Sequence, residues 1–372
     1  MTVDADGLDT LRREVREFVA AVGVPARCDS WMRAYDPKFS RQLGERGWIG
    51  MTWPREYGGG ARSNVERFVV TEELLRVGAP VMGHWTADRQ IGPSILRHGT
   101  EELRAEFLPA ICRGELVFGL GLSETEAGSD LAAVRTRAAQ VDGGWLITGT
   151  KIWTTSAHIA THLYVLARTG EPASTGAARH AGLTEFLVDR DTPGITVRPI
   201  VDLVGEHHFN EVVFDAVLVP DGRVLGAVGA GWKQVTEQLA FERGGAERFL
   251  STYPLFGAVV RAARRAPDRG VTERVGALAA RLAGLRELGV QLALAIDAGE
   301  APVRLAAESK LLGTAFEKAV VETARYVFDV CGADADDRRL FAEGLAAVPG
   351  TTIRGGSSEV LQTIISREEV PK

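Results

Sequence analysis

The chain has 372 residues, 45% hydrophobic and 25% charged, a composition that suits a globular protein of several domains or layers and excludes a disordered or fibrous one. A formal charge of −6 with no dense Lys/Arg block argues against nucleic acid or an anionic membrane surface as the main partner. No run approaches the roughly 18 consecutive apolar residues that span a bilayer, so no membrane span is expected. The start, MTVDADGLDTLRREVREFV, lacks the apolar core of a secretory signal. Cys28, Cys112 and Cys331 stand far apart without CxxC spacing, which fits the reduced thiols of a cytoplasmic protein better than a disulfide frame or a zinc site.

In chain order, LDTLRREVREFVAAV, DPKFSRQLGERGW, VERFVVTEELLRVG and TEELRAEFLPAIC carry apolar residues near helical spacing, so residues 8 to about 115 read as helices between loops. WPREYGGG, with Pro54 and Gly58 to Gly60, reads as a surface turn. Near residue 116 the pattern changes to short β-branched and aromatic runs: LVFGLGL, WLITGTKIW, THLYVLART, LTEFLVD, ITVRPIV and NEVVFDAVLV. From about 229 the helical period returns. The expected organisation is an N-terminal helical domain at 1–115, a middle β-domain at 116–228 and a C-terminal helical domain at 229–372. Mobile stretches are expected at 171–181 and 265–270.

LVFGLGLSETEAGSD, residues 116–130, is a buried-strand run that ends in a loop of small, hydroxyl and acidic residues. Small residues let backbone approach a ligand, and Ser123, Ser129 and nearby amides are donors for a polar ring or an anion; an ordinary turn has the same composition. Further on, GTKIWTTSA places Trp153 and Thr155 two apart, on one side of a strand if the strand continues. An indole and a hydroxyl facing one way suit a flat heterocycle, and core packing is the plainer reading. His84 and Trp85 read as core with a pocket role as the alternative. His207 and His208 show no metal spacing.

SETEAGSD, GTKIWTTSA, the FDAVLVP strand-to-loop run and the final RGGSSEVLQTIISRE helix, taken in order over nearly the whole chain, resemble the acyl-CoA dehydrogenases. The resemblance implies an α+β multidomain fold: a helical domain, a β-barrel-like middle domain and a C-terminal four-helix bundle, with FAD held between the last two. It implies oxidation of an acyl thioester to the 2-enoyl thioester, a glutamate removing the α-proton while flavin N5 takes the β-hydride and an electron-transfer flavoprotein or similar acceptor reoxidises the flavin. By position it places Leu122, Ser123 and Ser129 along the flavin ring and pyrophosphate, Trp153 and Thr155 over the ring, and Gly355, Gly356 and Ser357 beside the cofactor. Arg243 and Gly355 fall on the substrate side. Thr125 stands where the family usually has proline.

One large branch of the family carries its base just before a glycine of the last loop, in a pattern like YEGT. Here that slot holds Gly355. Another branch places it in a Glu-Arg pair on the first long helix of the C-terminal bundle, which corresponds to Glu242 and Arg243. The spacing of Trp232, Val235, Leu239, Glu242, Ala246, Phe249 and Tyr253 independently sets Glu242 on one apolar stripe, where lost hydration raises a carboxyl pKa toward the range of a general base. A structural or solvated glutamate is the alternative. Gly244 and Gly245 inside this helical run suggest a close approach of a ligand or another helix, with tolerated slack as the alternative. Glu359 is the second candidate base, with support of a helix first turn as its plainer role.

The family's Arg-x-x-Phe-Gly and Gln-x-x-Gly-Gly stretches, which meet a neighbouring subunit's FAD, have no counterpart in RAARRAPDRGVTERVG or YVFDVCGADAD. Arg269 and Arg274 are the cations available nearby. A homodimer or homotetramer is expected, or else a heteromer in which a related chain supplies the adenosine contacts. Competing functions are a flavin monooxygenase or oxidase on the same fold, and a subunit that has lost the chemistry.

Overall fold

The four segments with helical apolar spacing form helices, three of them opened by a side-chain cap from Asp36, Ser63 or Thr100, and short helices at 30–33, 82–86 and 92–98 have no expected counterpart. In the computed structural model, which describes residues 5–170, 180–203, 205–243 and 245–369, these helices are α1 (Ala5–Val22), α2 (Ser30–Arg33), α3 (Pro37–Glu45), α4 (Asn64–Arg76), α5 (Met82–Thr86), α6 (Gly92–His98) and α7 (Glu101–Cys112). The side chains of residues 5, 239–243, 368 and 369 lie outside that description. Leu11, Val15, Phe18 and Val19 form the buried stripe of α1. Ser63 opens α4 with a capping box completed by Glu66.

The strands are β1 (Phe118–Gly121), β2 (Arg137–Val141), β3 (Gly144–Lys151), β4 (His162–Arg168), β5 (Leu183–Asp189), β6 (Ile195–Val201), β7 (His207–Pro220) and β8 (Val224–Leu225). They join in the order β6-β7-β3-β2-β4-β5-β8, with β1 parallel to β4. Strands β4 and β5 are buried along almost their whole length, which is why LYVLA and LTEFLV read as continuous apolar runs. On β7 the buried side alternates from His208 to Phe214 and changes phase around Ala216, which adopts a left-handed φ of 50°. Trp145, Val165, Phe186 and Phe214 anchor the core on this sheet.

The remaining helices are α8 (Gly231–Arg243), α9 (Glu247–Leu250), α10 (Tyr253–Arg265), α11 (Arg269–Asp297), α12 (Val303–Cys331), α13 (Ala335–Thr351) and α14 (Ser358–Glu369). The stripe expected from Trp232 to Tyr253 is therefore spread over three helices. Glycine is a poor helix former, and Pro254 starts α10 rather than continuing α9. Residues 265–270 make a tight helix-to-helix turn in which Asp268 accepts from Val271 N, while most of the 171–181 stretch expected to be mobile, residues 171–179, lies outside the described residues. Strands β2 and β8 have no expected counterpart: RAAQV lacks β-branched bulk and β8 is two residues long.

Two compact units result, and they do not follow chain order. One contains Met1–Tyr35, Arg62–Val81 and Ala240–Lys372. The other contains Asp36–Ala61 and Met82–Leu239. The N-terminal helices are divided between them because α4 is buried on most sides by α1, α10 and α11. A Cβ on Gly289 of α11 would stand 2.5 Å from the Phe68 ring, so α11 meets α4 over that glycine. Among the described residues no helix is long and apolar enough to cross a membrane.

Candidate functional site

In the sheet-containing unit, one lysine joins the two loops singled out in the sequence. Lys151, fully buried at the end of β3, donates from Nζ to the Leu122 carbonyl at 3.1 Å and to Glu124 Oε1 at 2.8 Å. Ile152 N donates to the Ser123 carbonyl at 2.9 Å. Glu124 accepts in addition from the amides of Arg135 at 2.7 Å and Thr136 at 2.9 Å, so one carboxylate closes the loop on both sides. Burial pushes the Lys151 ammonium down to about 8 against the pull of Glu124. Burial alone would raise Glu124, but the charge and hydrogen bond of Lys151 outweigh it and hold that carboxyl below its ordinary value.

The loop that this pair holds has Leu122 packed against a small core of Ala127, Val134, Leu166, Leu183 and Val235. Ser123 is half-buried; Ser129 and Thr125 are exposed. Arg168, buried, donates to the carbonyls of Val134, Ala181 and Ala132 and so fixes the far side of the loop. Nothing in the spacing pointed to Lys151, Glu124 or Arg168. The only hint was the charge of Lys151 at the end of an otherwise strand-like run.

Trp153 and Thr155 do not share one side of a strand. Strand β3 ends at Lys151, and Trp153 and Ser156 take left-handed φ values of 59° and 63°. Such values are uncommon for bulky residues and persist where neighbours over-determine them. Here Thr154 N donates to the Asn210 carbonyl, Ser156 N to the His208 carbonyl, and Asn210 Nδ2 back to the Thr154 carbonyl at 2.9 Å. The turn leaves Trp153 54% exposed, its ring edge-on to Phe209 at 5.6 Å, with Thr155 half-buried beside it. An exposed indole held rigidly next to the Ser123 loop is a platform for a planar ring, and the hydroxyls of Ser123, Ser129 and Thr155 are donors around it. These residues fit a flavin ring.

His84 accepts or donates with Ser40 at 2.8 Å and is pushed down to about 4 by burial; it and Trp85 belong to the core. Asp202, Glu206 and His208 bring their ligand atoms within 4.8 Å of one another at the β6–β7 turn, a grouping that histidine spacing did not reveal. Asp202 Oδ1 accepts from Glu206 N at 2.9 Å, so the cluster closes the hairpin.

The helical unit carries the other candidates. Glu242 and Arg243 form the end of α8, and their side chains, like Gly244, lie outside the described residues. On α8, Val235 and Gln238, two turns and one turn before position 242, are buried. A Cβ on Gly245 would stand 1.9 Å from the Glu247 carboxylate, which names the close neighbour of that glycine. Gly355 and Gly356 have φ values of 68° and 99°, and a Cβ on Gly355 would lie 2.9 Å from the Arg248 guanidinium. Ser357 Oγ accepts from Val360 N at 3.4 Å at the start of α14. Glu359 is exposed in that first turn, and hydrogen bonds from its own backbone amide and Ser357 hold its carboxyl below the ordinary value. Arg269 pairs with Glu273 at 2.9 Å, and Arg274 lies over the Tyr326 ring.

Below the Gly355 loop, Trp31, Glu247, Arg248, Lys310, Thr314, Glu317, Thr351 and Arg354 line a cavity of about 10 Å³, room for a single water. Burial raises Glu317 to about 8, while its Oε1 accepts from Ser251 N at 2.7 Å.

The comparisons with known proteins follow this geometry. Family models for the N-terminal, middle and C-terminal domains of acyl-CoA dehydrogenase match residues 6–115, 119–217 and 229–369. The chain belongs to the acyl-CoA dehydrogenase family. It is 36% identical to acyl-CoA dehydrogenase FadE34 of Mycobacterium tuberculosis over 97% of its own length and 48% of that protein's. It is 32% identical to acyl-CoA dehydrogenase IpdE1 of Mycolicibacterium smegmatis, covering 88% of this chain and 86% of that one. Among solved structures it resembles a steroid acyl-CoA dehydrogenase, Tcur3481-Tcur3483, at 27% identity and a TM-score of 0.86 over 99% of both chains. It also resembles the ChsE4-ChsE5 complex of M. tuberculosis at 26% identity and a TM-score of 0.83 over the full length of both. The chain spans about half to two thirds of the length of the first curated relatives it matches. Acyl-CoA dehydrogenases are oxidoreductases, generally dependent on FAD, and the three domain types account for the helix, strand, helix order of this chain.

Two measurements probe this site. Lys151→Met leaves Glu124 buried without its partner and should cost about 3–5 kcal/mol in urea unfolding; a loss below about 1 kcal/mol would remove the ion pair from its role in the loop. Glu317, raised from 4.5 to about 8, keeps a proton when folded that it loses when unfolded. That contribution is fully present below pH 4.5 and is lost as pH rises through about 8. Asp29, Glu247, Arg248, Lys310 and Arg354 surround it without being changed by Glu317→Gln, so this variant should show a flatter pH dependence of unfolding between those limits. Superimposable profiles would contradict the assignment.

Proposed function

We propose that this chain is an FAD-dependent dehydrogenase that oxidises an acyl thioester, an acyl-CoA or a carrier-bound acyl group, to the 2-enoyl thioester. Family membership supports the reaction class, and the exposed Trp153 turn beside the Ser123 loop supports the ring site. FAD, when bound, supplies the ring that accepts the β-hydride. Leu122, Ser123 and Ser129 hold its ring and pyrophosphate edge, Trp153 and Thr155 cover it, and the Gly355, Gly356 and Ser357 loop borders it. The bounds 1–115, 116–228 and 229–372 remain the proposed functional division.

Glu242 is the proposed base. The observation that carries this choice is position 355: glycine holds it with a left-handed φ of 68°, and a Cβ there would meet the Arg248 guanidinium at 2.9 Å, so that slot carries no carboxylate. Glu359, exposed and with a lowered pKa, lacks the desolvation a base near neutral pH requires. Glu242 takes the α-proton onto a carboxylate oxygen. An amide of Gly355 or Gly356 donates to the thioester oxygen, where negative charge grows as that proton leaves. Arg243 sits on the substrate side.

The relatives named as a complex and as the Tcur3481-Tcur3483 pair favour an assembly with a related chain, which would supply the adenosine contacts missing from RAARRAPDRG and YVFDVCGADAD. The name of the second admits polycyclic acyl groups among the substrates. An electron-transfer flavoprotein is the proposed acceptor and the cytoplasm the proposed location.

The test is an absorption spectrum of the purified holoprotein, alone and with its related chain, followed by anaerobic titration with a panel of acyl-CoAs. A bound yellow flavin should be bleached by at least one thioester, and Glu242→Gln should keep the flavin and abolish bleaching. Full bleaching of that variant would remove Glu242 from the mechanism; flavin that no thioester bleaches would contradict the reaction.

A further inference from the structure

Arg248 lies on α9 under the terminal loop, almost wholly buried, with its guanidinium against the Trp31 ring and its Nε 3.8 Å from the Glu247 carboxylate. Its Cζ stands 5.2 Å from the Trp31 ring centre, and the Arg354 Cζ stands 4.8 Å from the same ring. Trp31 is itself held by donation from Nε1 to Ser251 Oγ at 2.9 Å. Arg354 makes a two-pronged pair with Asp29, at 2.8 and 2.5 Å. The loop is tied from α12 as well, where Lys310 Nζ and Thr314 Oγ1 donate to the Thr351 carbonyl at 3.1 and 3.4 Å. The Arg248 backbone is pressed onto α12: a Cβ on Gly313 would stand 2.5 Å from the Arg248 carbonyl oxygen. The guanidinium is thus backed by the Trp31 ring, and it faces Gly355, where an added Cβ would meet Nη1 at 2.9 Å and Cζ and Nη2 at 3.0 Å.

We propose that Arg248 is a positioning residue for the thioester oxidation assigned above: its planar guanidinium braces the underside of Gly355 and keeps the Gly355–Gly356 backbone in the left-handed form whose amide meets the thioester oxygen. The proposal rests on that functional reading for its catalytic consequence, whereas the brace itself is a statement about this loop. Lysine cannot replace it, because an ammonium on a flexible stem presents no flat face to Gly355. The same contact disfavours a side chain at position 355. A donor amide displaced by about 1 Å can cost about 100-fold in rate, so a loosened brace should appear in turnover before it appears in binding.

The experiment is a double-mutant cycle on the flavin-loaded protein, with Gly355→Ala, Arg248→Ala and the pair, and with Arg248→Lys in place of alanine should that variant not fold. Two quantities are read: anaerobic flavin reduction by a bleaching acyl-CoA, and the urea midpoint. Each single variant should slow the limiting rate of flavin reduction by at least about 10-fold while the apparent Kd for the acyl-CoA moves by less than about 3-fold, and Arg248→Lys should not restore the rate. The pair should be no more than about 3-fold slower than the worse single, because both changes break one contact. Arg248 variants that reduce at the wild-type rate, or penalties that multiply in the pair, would overturn the proposal; so would a loss confined to the urea midpoint. If no acyl-CoA reduces even the wild type, the functional reading fails separately. The midpoints then still decide the brace: non-additive shifts support it and additive shifts reject it.

Discussion

A buried ion pair, Lys151 with Glu124, is the interaction on which the proposed ring-binding surface depends. It places an ammonium in the sheet interior and uses it to hold two segments that are distant in sequence, the Leu122–Ser129 loop and the turn that starts at Ile152. Desolvating two charges is costly, and replacing such a pair by apolar side chains is often neutral for stability. What apolar side chains cannot supply is the set of backbone contacts. Lys151 meets the Leu122 carbonyl, and Glu124 meets the amides of Arg135 and Thr136. Those contacts hold the serine-bearing loop against the end of β3, while Asn210 and His208 of β7 hold the Trp153 turn.

The helical unit solves a comparable problem with arginines. Arg354 secures one side of the terminal loop through Asp29, Arg248 fills the space beneath Gly355, and Trp31 carries both guanidinium groups on its ring. A glycine at 355 is then required twice, once by its φ and once by its neighbour. This gives a physical form to what the sequence says only as a missing glutamate: the slot is occupied by a cation from α9, and the carboxylate assigned to the chemistry belongs to α8.

Much of this was legible in the sequence. The periodicity of LRREVREFV and the continuous apolar runs LYVLA and LTEFLV correspond to α1, β4 and β5, and four motifs in register identified the family. The failures have common causes. Strand alternation was extended through Trp153 because nothing local announces a left-handed tryptophan; the contacts that impose it come from β7, far along the chain. Helical spacing was extended through Gly245 because periodicity does not register a helix break whose neighbour is the side chain of Glu247. Arg248 was passed over as one of many arginines, since its meaning comes from Gly355, more than a hundred residues away. Lys151 and Arg168 belong to the same class: buried polar residues defined by partners distant in the chain, which single-sequence patterns do not encode.

The account's central claim is that the α-proton is taken by a carboxylate on α8 and by none on the terminal loop. The most direct measurement separates proton removal from hydride transfer by using an acyl-CoA with α-hydrogens and no β-hydrogen, such as 3,3-dimethylbutyryl-CoA, incubated with the flavin-loaded protein in deuterium oxide and analysed by mass spectrometry. Deuterium should enter the α-carbon with the wild type and with Glu359→Gln, and should fail to enter with Glu242→Gln. Undiminished exchange in Glu242→Gln, or exchange lost only in Glu359→Gln, would contradict the account.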